Sequence, residues 1–266
     1  MSIGIAIAVP DGIALAADTQ TTWNNFILRA KDKKTGNEIE LAEPIAVPIG
    51  WSQSARKLFS VTLAGKPYAI ITAGEANLNH KTMYAIFHSA TKKYSGDGTI
   101  DDIVKFFVDH LKDELCATLS VTPEKLSTSP FKLCEFILAG YEDEDVAKPV
   151  VESHLIFSGT LKVAGKTDTS GYFKKWTNRS QPNRYGGCWI GQAAYITHVV
   201  LHGNKELPPI SGQFEMMTVA DAVDYTRFLV AFTCDFQRFA IMVPNCGRPI
   251  SSATLTPDSF EEKIVV

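Results

Sequence analysis

Residues 3–17 constrain the fold most, because they form an apolar hairpin pattern with no polar face. Over residues 3–9, isoleucine and valine alternate with small residues, Asp11 and Gly12 then favour a tight turn, and residues 13–17 form a second apolar run. A strand that is apolar on both faces must be covered on both faces. The sequence therefore predicts a β-hairpin inside a layered sandwich rather than on a half-exposed sheet.

The rest of the chain groups its strands and helices in blocks. Extended apolar runs predict further strands at residues 57–62, 68–74, 136–141, 150–157, 239–243 and 252–255. Apolar stripes spaced three and four residues apart predict helices at residues 76–94, 100–115, 193–202 and 218–229, and Pro123 favours a short helical turn. Charges mixed with Gly and Pro predict a loop insertion at residues 23–56.

Such segregated blocks indicate an α+β fold rather than alternating βαβ units. We expect a four-layer αββα sandwich, in which two antiparallel sheets lie between helix layers, formed by a single domain of residues 1–266. Thr99 and Thr218, each followed by Asp three residues later, predict the capped beginnings of two of the helices.

Composition excludes several classes of function. The formal net charge is −3 and the basic residues form no run, so neither nucleic acid nor an anionic membrane is an expected partner. No segment reaches the roughly 18 apolar residues of a membrane span, and the apolar start is broken by Pro10, Asp11 and Gly12, unlike a signal peptide. The odd count of 5 cysteines, without a C-x-x-C pair, is typical of reduced thiols. We therefore expect a cytoplasmic protein.

Two segments resemble ligand-binding motifs but do not match them fully. Five residues separate Gly159 from Gly165 where a phosphate-binding loop has four, so this stretch predicts a hairpin turn. His198 and His202 have metal-ligand spacing on a predicted helix, but no third ligand is evident. Neither a metal nor an organic cofactor is expected.

Ser2 is the candidate catalytic residue of this sequence. Removal of Met1 would leave Ser2 with both a hydroxyl and a free α-amino group, whose ordinary pKa is about 8. Such an amine can serve as general base toward its own hydroxyl. The arrangement needs a nearby cation held by a carboxylate. Asp18 and Lys57 are the candidates, because neighbouring strands would bring both beside Ser2.

Residues 15–22 (LAADTQTT) resemble the segment that follows the first turn of mature proteasome β subunits, which are amino-terminal-nucleophile (Ntn) hydrolases. Further segments resemble that family in the same order, namely residues 56–61 (RKLFSV), 71–76 (ITAGEA), 134–141 (CEFILAGY), 185–193 (YGGCWIGQA), 246–250 (CGRPI) and 255–258 (LTPD). A nucleophile preceded by Met1 alone is similar to the bacterial stand-alone branch of ancestral β subunits.

The resemblance implies the Ntn-hydrolase fold and a role for each matching residue. It implies that Ser2 is the nucleophile and base, that Asp18 orients Lys57, and that Gly74 supplies the oxyanion-hole N–H. It further implies a backbone clamp for an extended peptide at Thr22 and a specificity pocket lined by Thr21, Thr72, Ala76 and His80. The family also assembles into rings or spirals, so the resemblance implies a homo-oligomer.

Three features depart from the family pattern. Counting from Ser2 would put the site lysine at Lys34, but apolar strand residues follow Lys57, which we therefore favour. Gln192 stands where the family has a serine, and Met242 and Asn245 stand where it has an aspartate and a serine. We predict a proteasome-like hydrolase of peptide or amide bonds. Two alternatives remain, a catalytically silent subunit of this fold and an amidohydrolase of small amides whose pocket is covered by residues 23–56.

Overall fold

The computed structural model describes residues 2–142, 145, 148–163, 165–192, 194, 196–197, 213–240 and 244–265, with the backbone alone at residues 23–28, 40–49 and 265. Strands and helices are numbered below in chain order. None of the helices in these residues is long and apolar enough to cross a membrane.

The opening hairpin lies at the centre of a five-stranded antiparallel sheet. In spatial order its strands are β14 (Gly186–Gly191), β1 (Ile3–Val9), β2 (Gly12–Asp18), β15 (Ile250–Leu255) and β16 (Phe260–Val265). Every residue of β1 and β2 is buried, so the predicted hairpin with two covered faces is confirmed.

A second antiparallel sheet also has five strands. In spatial order they are β13 (Tyr172–Thr177), β10 (Pro149–Phe157), β9 (Leu133–Tyr141), β6 (Lys66–Gly74) and β5 (Leu58–Leu63). Three separate hairpins pair β3 (Thr21–Lys31) with β4 (Glu38–Ser52), β7 (Asn77–Leu78) with β8 (Lys81–Thr82), and β11 (Leu161–Val163) with β12 (Lys166–Asp168). The last of these is the turn predicted around Gly165.

The helices of the described residues are α1 (Met83–Thr91), α2 (Ile100–Leu119) and α3 (Val219–Phe239), with short 3-10 turns at Pro123–Thr128, Asn178–Ser180 and Phe214–Met216. Thr218 and Asp221 form the full capping box before α3. The Thr99 hydroxyl accepts from the backbone N–H of Asp102, but the Asp102 carboxylate accepts from Tyr94 instead of completing the box. Each cap satisfies backbone donors that the first turn leaves free.

Three apolar clusters hold these elements together. One lies between the two sheets and includes Leu15 of β2, Ile71 of β6 and Ile137 of β9. A second lies between the second sheet and helices α1 and α2, and a third between the first sheet and α3. A Cβ at Gly4 would overlap Ile71, so the small residues that alternate along β1 let the sheets approach closely. The prediction of a mixed fold with antiparallel sheets is confirmed.

Three sequence-based boundaries are wrong. Residues 23–56 do not form a loop, since most of them belong to the hairpin of β3 and β4. The helix predicted at residues 76–94 is confined to α1, because Asn79 and His80 adopt left-handed φ angles of 47° and 60° in the turn of the β7–β8 hairpin. α3 continues through Phe239, where a strand was predicted. Most of the predicted helix at 193–202, with His198 and His202, lies outside the described residues.

Candidate active site

A buried ion pair joins the end of β2 to the residue before β5. Lys57 Nζ lies 3.0 Å from Asp18 Oδ1 and 2.9 Å from Oδ2, and it also donates to the backbone oxygen of Gln20. Two backbone hydrogen bonds bring the lysine there: Ala55 N donates to Thr19 O, and Thr72 N donates to Lys57 O. The segment that returns from the β3–β4 hairpin is thereby fastened between the two sheets.

Asp18 is fully buried, and among the described residues four groups donate hydrogen bonds to its carboxyl group. Besides Lys57, the backbone N–H groups of Ile3, Gln20 and Gly247 donate to it over 2.9, 3.1 and 3.2 Å. Burial raises the pKa of Asp18, while the Lys57 charge and the backbone donors act in the opposite direction. Because an ionised carboxylate only accepts hydrogen bonds, this set of donors fits the charged form.

Ser2 sits directly beside this pair. The Asp18 carboxylate accepts a hydrogen bond from the backbone N–H of Ile3, the residue after Ser2. The Ser2 carbonyl oxygen accepts a hydrogen bond from Gln192 N over 2.7 Å. Ser2 is 5% exposed, yet it lines an open cleft. The backbone at Ser2 is thus fixed by Asp18 on one side and by Gln192 on the other.

A carboxylate that sequence analysis did not find supports Ser2 from the second sheet. Glu135 of β9 accepts from Gly191 N over 2.6 Å and from Lys175 Nζ over 3.0 Å, and only 6% of Glu135 is exposed. Gly191 adopts a φ of 80°, and a Cβ there would overlap the Ser2 carbonyl oxygen. Glu135 therefore fixes the backbone against which Ser2 rests.

Gly74 ends β6 at the mouth of the cleft. Its φ of 88° is left-handed, and a Cβ at this position would overlap the carbonyl oxygen of Leu133. The N–H of the next residue, Glu75, donates to Leu133 O over 2.9 Å and so fixes the turn. This geometry explains why glycine occupies the position.

The cleft has a volume of about 770 Å³. Seven of the residues singled out from the sequence line it, namely Ser2, Thr21, Thr22, Lys57, Thr72, Gly74 and Ala76. Asp18 lies behind Lys57, outside the lining. His80 is exposed in the β7–β8 turn and does not line the cleft, and Lys34 is exposed in the turn between β3 and β4.

The loop after α3 closes the site behind Asp18. Gln237 of α3 accepts from the backbone N–H groups of Asn245 and Cys246 over 2.8 and 3.3 Å, which positions Gly247 N on Asp18. Gln20 Nε2 donates to Pro244 O over 3.0 Å. Gln237 is fully buried, but it lies beyond the helix predicted at residues 218–229, so the sequence analysis did not single it out. Met242 lies outside the described residues.

The described residues contain no group of three or more His, Cys, Asp or Glu side chains that could hold a metal ion. Two ion pairs flank the backbone of Ser2, one between Asp18 and Lys57 and one between Glu135 and Lys175. The arrangement is suited to moving a proton and stabilising charge at Ser2.

Two solved structures match this architecture over nearly the whole chain. An Anbu (Gly-1) mutant from Hyphomicrobium sp. strain MC1 has a TM-score of 0.53 at 12% sequence identity, covering 99% of this chain and 87% of that one. Anbu (ancestral beta-subunit) from Yersinia bercovieri has a TM-score of 0.53 at 9% identity, covering 98% of this chain and 86% of that one. The chain has the Anbu fold. No family model and no curated protein matches it.

The Anbu fold confirms the resemblance to bacterial proteasome-related proteins that the sequence segments indicate. At identities of 12% and 9% the likeness concerns the fold alone, because unrelated activities share folds. The roles of individual side chains therefore have to be argued from the geometry around Ser2.

Proposed function

We propose that the protein is a proteasome-like Ntn hydrolase that cleaves peptide or amide bonds with Ser2, exposed by removal of Met1. One observation carries the proposal: Asp18 binds both Lys57 and the N–H of Ile3, so a buried, fixed cation accompanies Ser2 at the edge of the cleft. A permanent positive charge beside an α-amine lowers the amine's pKa and stabilises negative charge that develops nearby.

The reaction divides into two steps. The Ser2 hydroxyl attacks the substrate carbonyl while the α-amino group, directly or through a water, takes the hydroxyl proton. Collapse of the tetrahedral intermediate breaks the C–N bond, and the leaving amine receives that proton. Water then attacks the Ser2 ester, with the amine again as base, and releases the acid. No metal or organic cofactor enters either step.

Cleft residues take the remaining roles in this proposal. The N–H of Gly74 would stabilise the oxyanion, and Thr22 would pair with an extended substrate as an added strand. Thr21, Thr72 and Ala76 would line the first specificity pocket. Their presence in one cleft with Ser2 supports these assignments. The exposed position of His80 supports no role for it in the pocket.

Three further properties belong to the proposal. The three apolar clusters support one domain with the four-layer αββα arrangement. Phe228 and Phe239 on α3 are 47% and 80% exposed, which supports self-association through the outer helices into a homo-oligomer. All five cysteines are unpaired, as in the reducing cytoplasm.

A second candidate function is hydrolysis of small amides such as acyl amino acids. The observation that favours it is the contribution of Ser52 of β4, Ser54 and Ala55 to the cleft lining. The end of the insertion thus forms part of the cleft wall, as expected if the insertion covers a pocket for small amides. Hydrolysis of acyl amino acids without hydrolysis of peptides would select this candidate.

Fluorogenic peptide amides and acyl-amino-acid amides test the proposal with protein whose Met1 has been removed by methionine aminopeptidase. We expect turnover by the wild type and by Ser2→Thr, and none by Ser2→Ala or Lys57→Met. Ser180→Ala is the matched control, because Ser180 is exposed and outside the cleft lining. Turnover that survives in Ser2→Ala would overturn the proposal, and a Met1-free protein inactive on both panels would favour the silent subunit.

A further inference from the structure

The cleft beside Ser2 carries an excess of positive charge. Its charged lining residues are Arg56, Lys57, Lys132 and Glu75. Lys57 is already paired with Asp18, and Lys132 with Glu75 over 3.2 Å. Arg56 has the longest of the three ion pairs, because its partner Glu262 lies 3.7 Å away and outside the lining.

Arg56 is held in place by stacking. Its guanidinium carbon lies 4.4 Å from the centre of the Tyr84 ring. Tyr84 in turn packs edge-on against the buried Phe59, with ring centres 5.2 Å apart, and stacks on His88 at 5.7 Å. A guanidinium positioned in this way loses little conformational freedom when it binds a ligand.

The contact between Arg56 and the Glu262 carboxylate is weak. Glu262 of β16 lies 3.7 Å away, beyond hydrogen-bond distance, and its other oxygen accepts from Ser251 Oγ over 2.5 Å. About half of the Arg56 side chain, 52%, is exposed. The donors of the guanidinium are thus available to an anion that enters the cleft, and a planar carboxylate fits them best.

We infer that Arg56 selects substrates with an acidic side chain on the residue that supplies the attacked carbonyl. Arg56 directly precedes Lys57, and both line the same cleft as Ser2. The substrate class is therefore a peptide or acyl-amino-acid amide with glutamate or aspartate before the scissile bond. This inference rests on the proposed hydrolase function.

Two substrates that differ only in charge test this selectivity. N-acetyl-Ala-Ala-Glu and N-acetyl-Ala-Ala-Gln, each as a fluorogenic amide, are compared by kcat/KM. We expect a preference for glutamate of roughly tenfold, the size of one charge-assisted hydrogen bond at a half-exposed site. The ratio is expected to fall to near one in Arg56→Gln, and to decrease with added salt in the wild type. Lys92→Gln, at the far end of α1, controls for the loss of one positive charge.

A binding measurement separates failure of this inference from failure of the proposed function. Ser2→Ala protein, with and without Arg56→Gln, is titrated with fluorescein-labelled Ala-Ala-Glu-amide and Ala-Ala-Gln-amide. Tighter binding of the glutamate peptide that disappears in Arg56→Gln supports the inference even if no substrate is hydrolysed. Equal binding, no binding, or a glutamate preference that survives Arg56→Gln would overturn it, even if Ser2-dependent hydrolysis is observed.

Discussion

Lys57 Nζ lies 3.0 and 2.9 Å from the two carboxylate oxygens of Asp18, and the exposed fractions of these side chains are 8% and 0%. A pair so shielded from solvent is little screened by salt and cannot exchange partners with water. The Asp18 carboxylate also accepts a hydrogen bond from the backbone N–H of Ile3. The position of the Lys57 charge and the position of Ser2 therefore depend on one carboxylate.

Breaking this pair is expected to destabilise the protein. Lys57→Met leaves the buried Asp18 without its counter-charge, which costs about 3–5 kcal/mol. The double variant Lys57→Met/Asp18→Asn is expected to be less destabilised than the sum of the two single variants. Urea unfolding of the four proteins gives the coupling energy.

Lys34→Met is the matched control for that cycle, because Lys34 is exposed in the hairpin turn. Its free energy of unfolding and its hydrolytic rate should equal those of the wild type. Loss of activity in Lys34→Met together with full activity in Lys57→Met would assign the site lysine to Lys34 instead.

Gly191→Ala tests the contact between Gly191 and Ser2. A Cβ at Gly191 would overlap the Ser2 carbonyl oxygen, and the residue has a left-handed φ of 80°. Gly65→Ala is the matched control, since Gly65 has a φ of 79° with nothing within 4 Å of the added Cβ. Both should lose about 1–2 kcal/mol of stability for the backbone conformation. Only Gly191→Ala should lose further stability and hydrolytic activity. Equal losses in Gly191→Ala and Gly65→Ala would contradict the contact between Gly191 and Ser2.

Glu135→Leu tests the support of Ser2 from the second sheet. The substitution leaves the N–H of Gly191 without its acceptor, which costs about 1–3 kcal/mol. We also expect a lower kcat, because the backbone beside Ser2 loses its fixed position. Lys175→Met removes the ion pair but keeps the Gly191 hydrogen bond, so it should be milder in both measurements. A larger effect of Lys175→Met would mean that the ion pair, and not the hydrogen bond, matters.

Glu152 makes stability depend on acidic pH. Burial would raise the pKa of Glu152, but the His154 ring 3.4 Å away, the hydrogen bond from Thr177 and the charge of Lys174 lower it to about 2. Because the folded pKa lies below the unfolded value of about 4.3, the ionised group stabilises the fold above that value. This stabilisation is lost as the pH falls from about 4.3 toward about 2. In thermal unfolding, the wild type should be more stable than Glu152→Gln at pH 5, and this difference in stability should be smaller at pH 3. An equal difference at both pH values would contradict the lowered pKa of Glu152.

The sequence predicted those elements whose pattern is local. Alternation along β1 and β2 and the caps at Thr99 and Thr218 are short-range signals, and the structure has all of them. The β3–β4 hairpin was missed because the described side chains of residues 29–39 are largely exposed, so no apolar periodicity marks its strands.

Glu135 and Arg56 were missed for another reason. Glu135 contacts Gly191, 56 residues away, and Arg56 stacks on Tyr84 from a different element. No spacing rule within a strand or helix encodes such contacts. By contrast, Asp18 and Lys57 were singled out because an α-amine base needs a cation held by a carboxylate and because neighbouring strands would bring both residues beside Ser2.

Mass spectrometry of the protein after exposure to an acylating β-lactone tests the central claim, that Ser2 is an amino-terminal nucleophile, most directly. Attack by the Ser2 oxygen opens the lactone without a leaving group, so the adduct carries the full mass of the reagent. We predict a chain that lacks Met1 and carries one adduct, mapped to Ser2 and absent in Ser2→Ala and Lys57→Met. Retained Met1 after aminopeptidase treatment, or a Met1-free chain without an adduct at Ser2, would contradict the account.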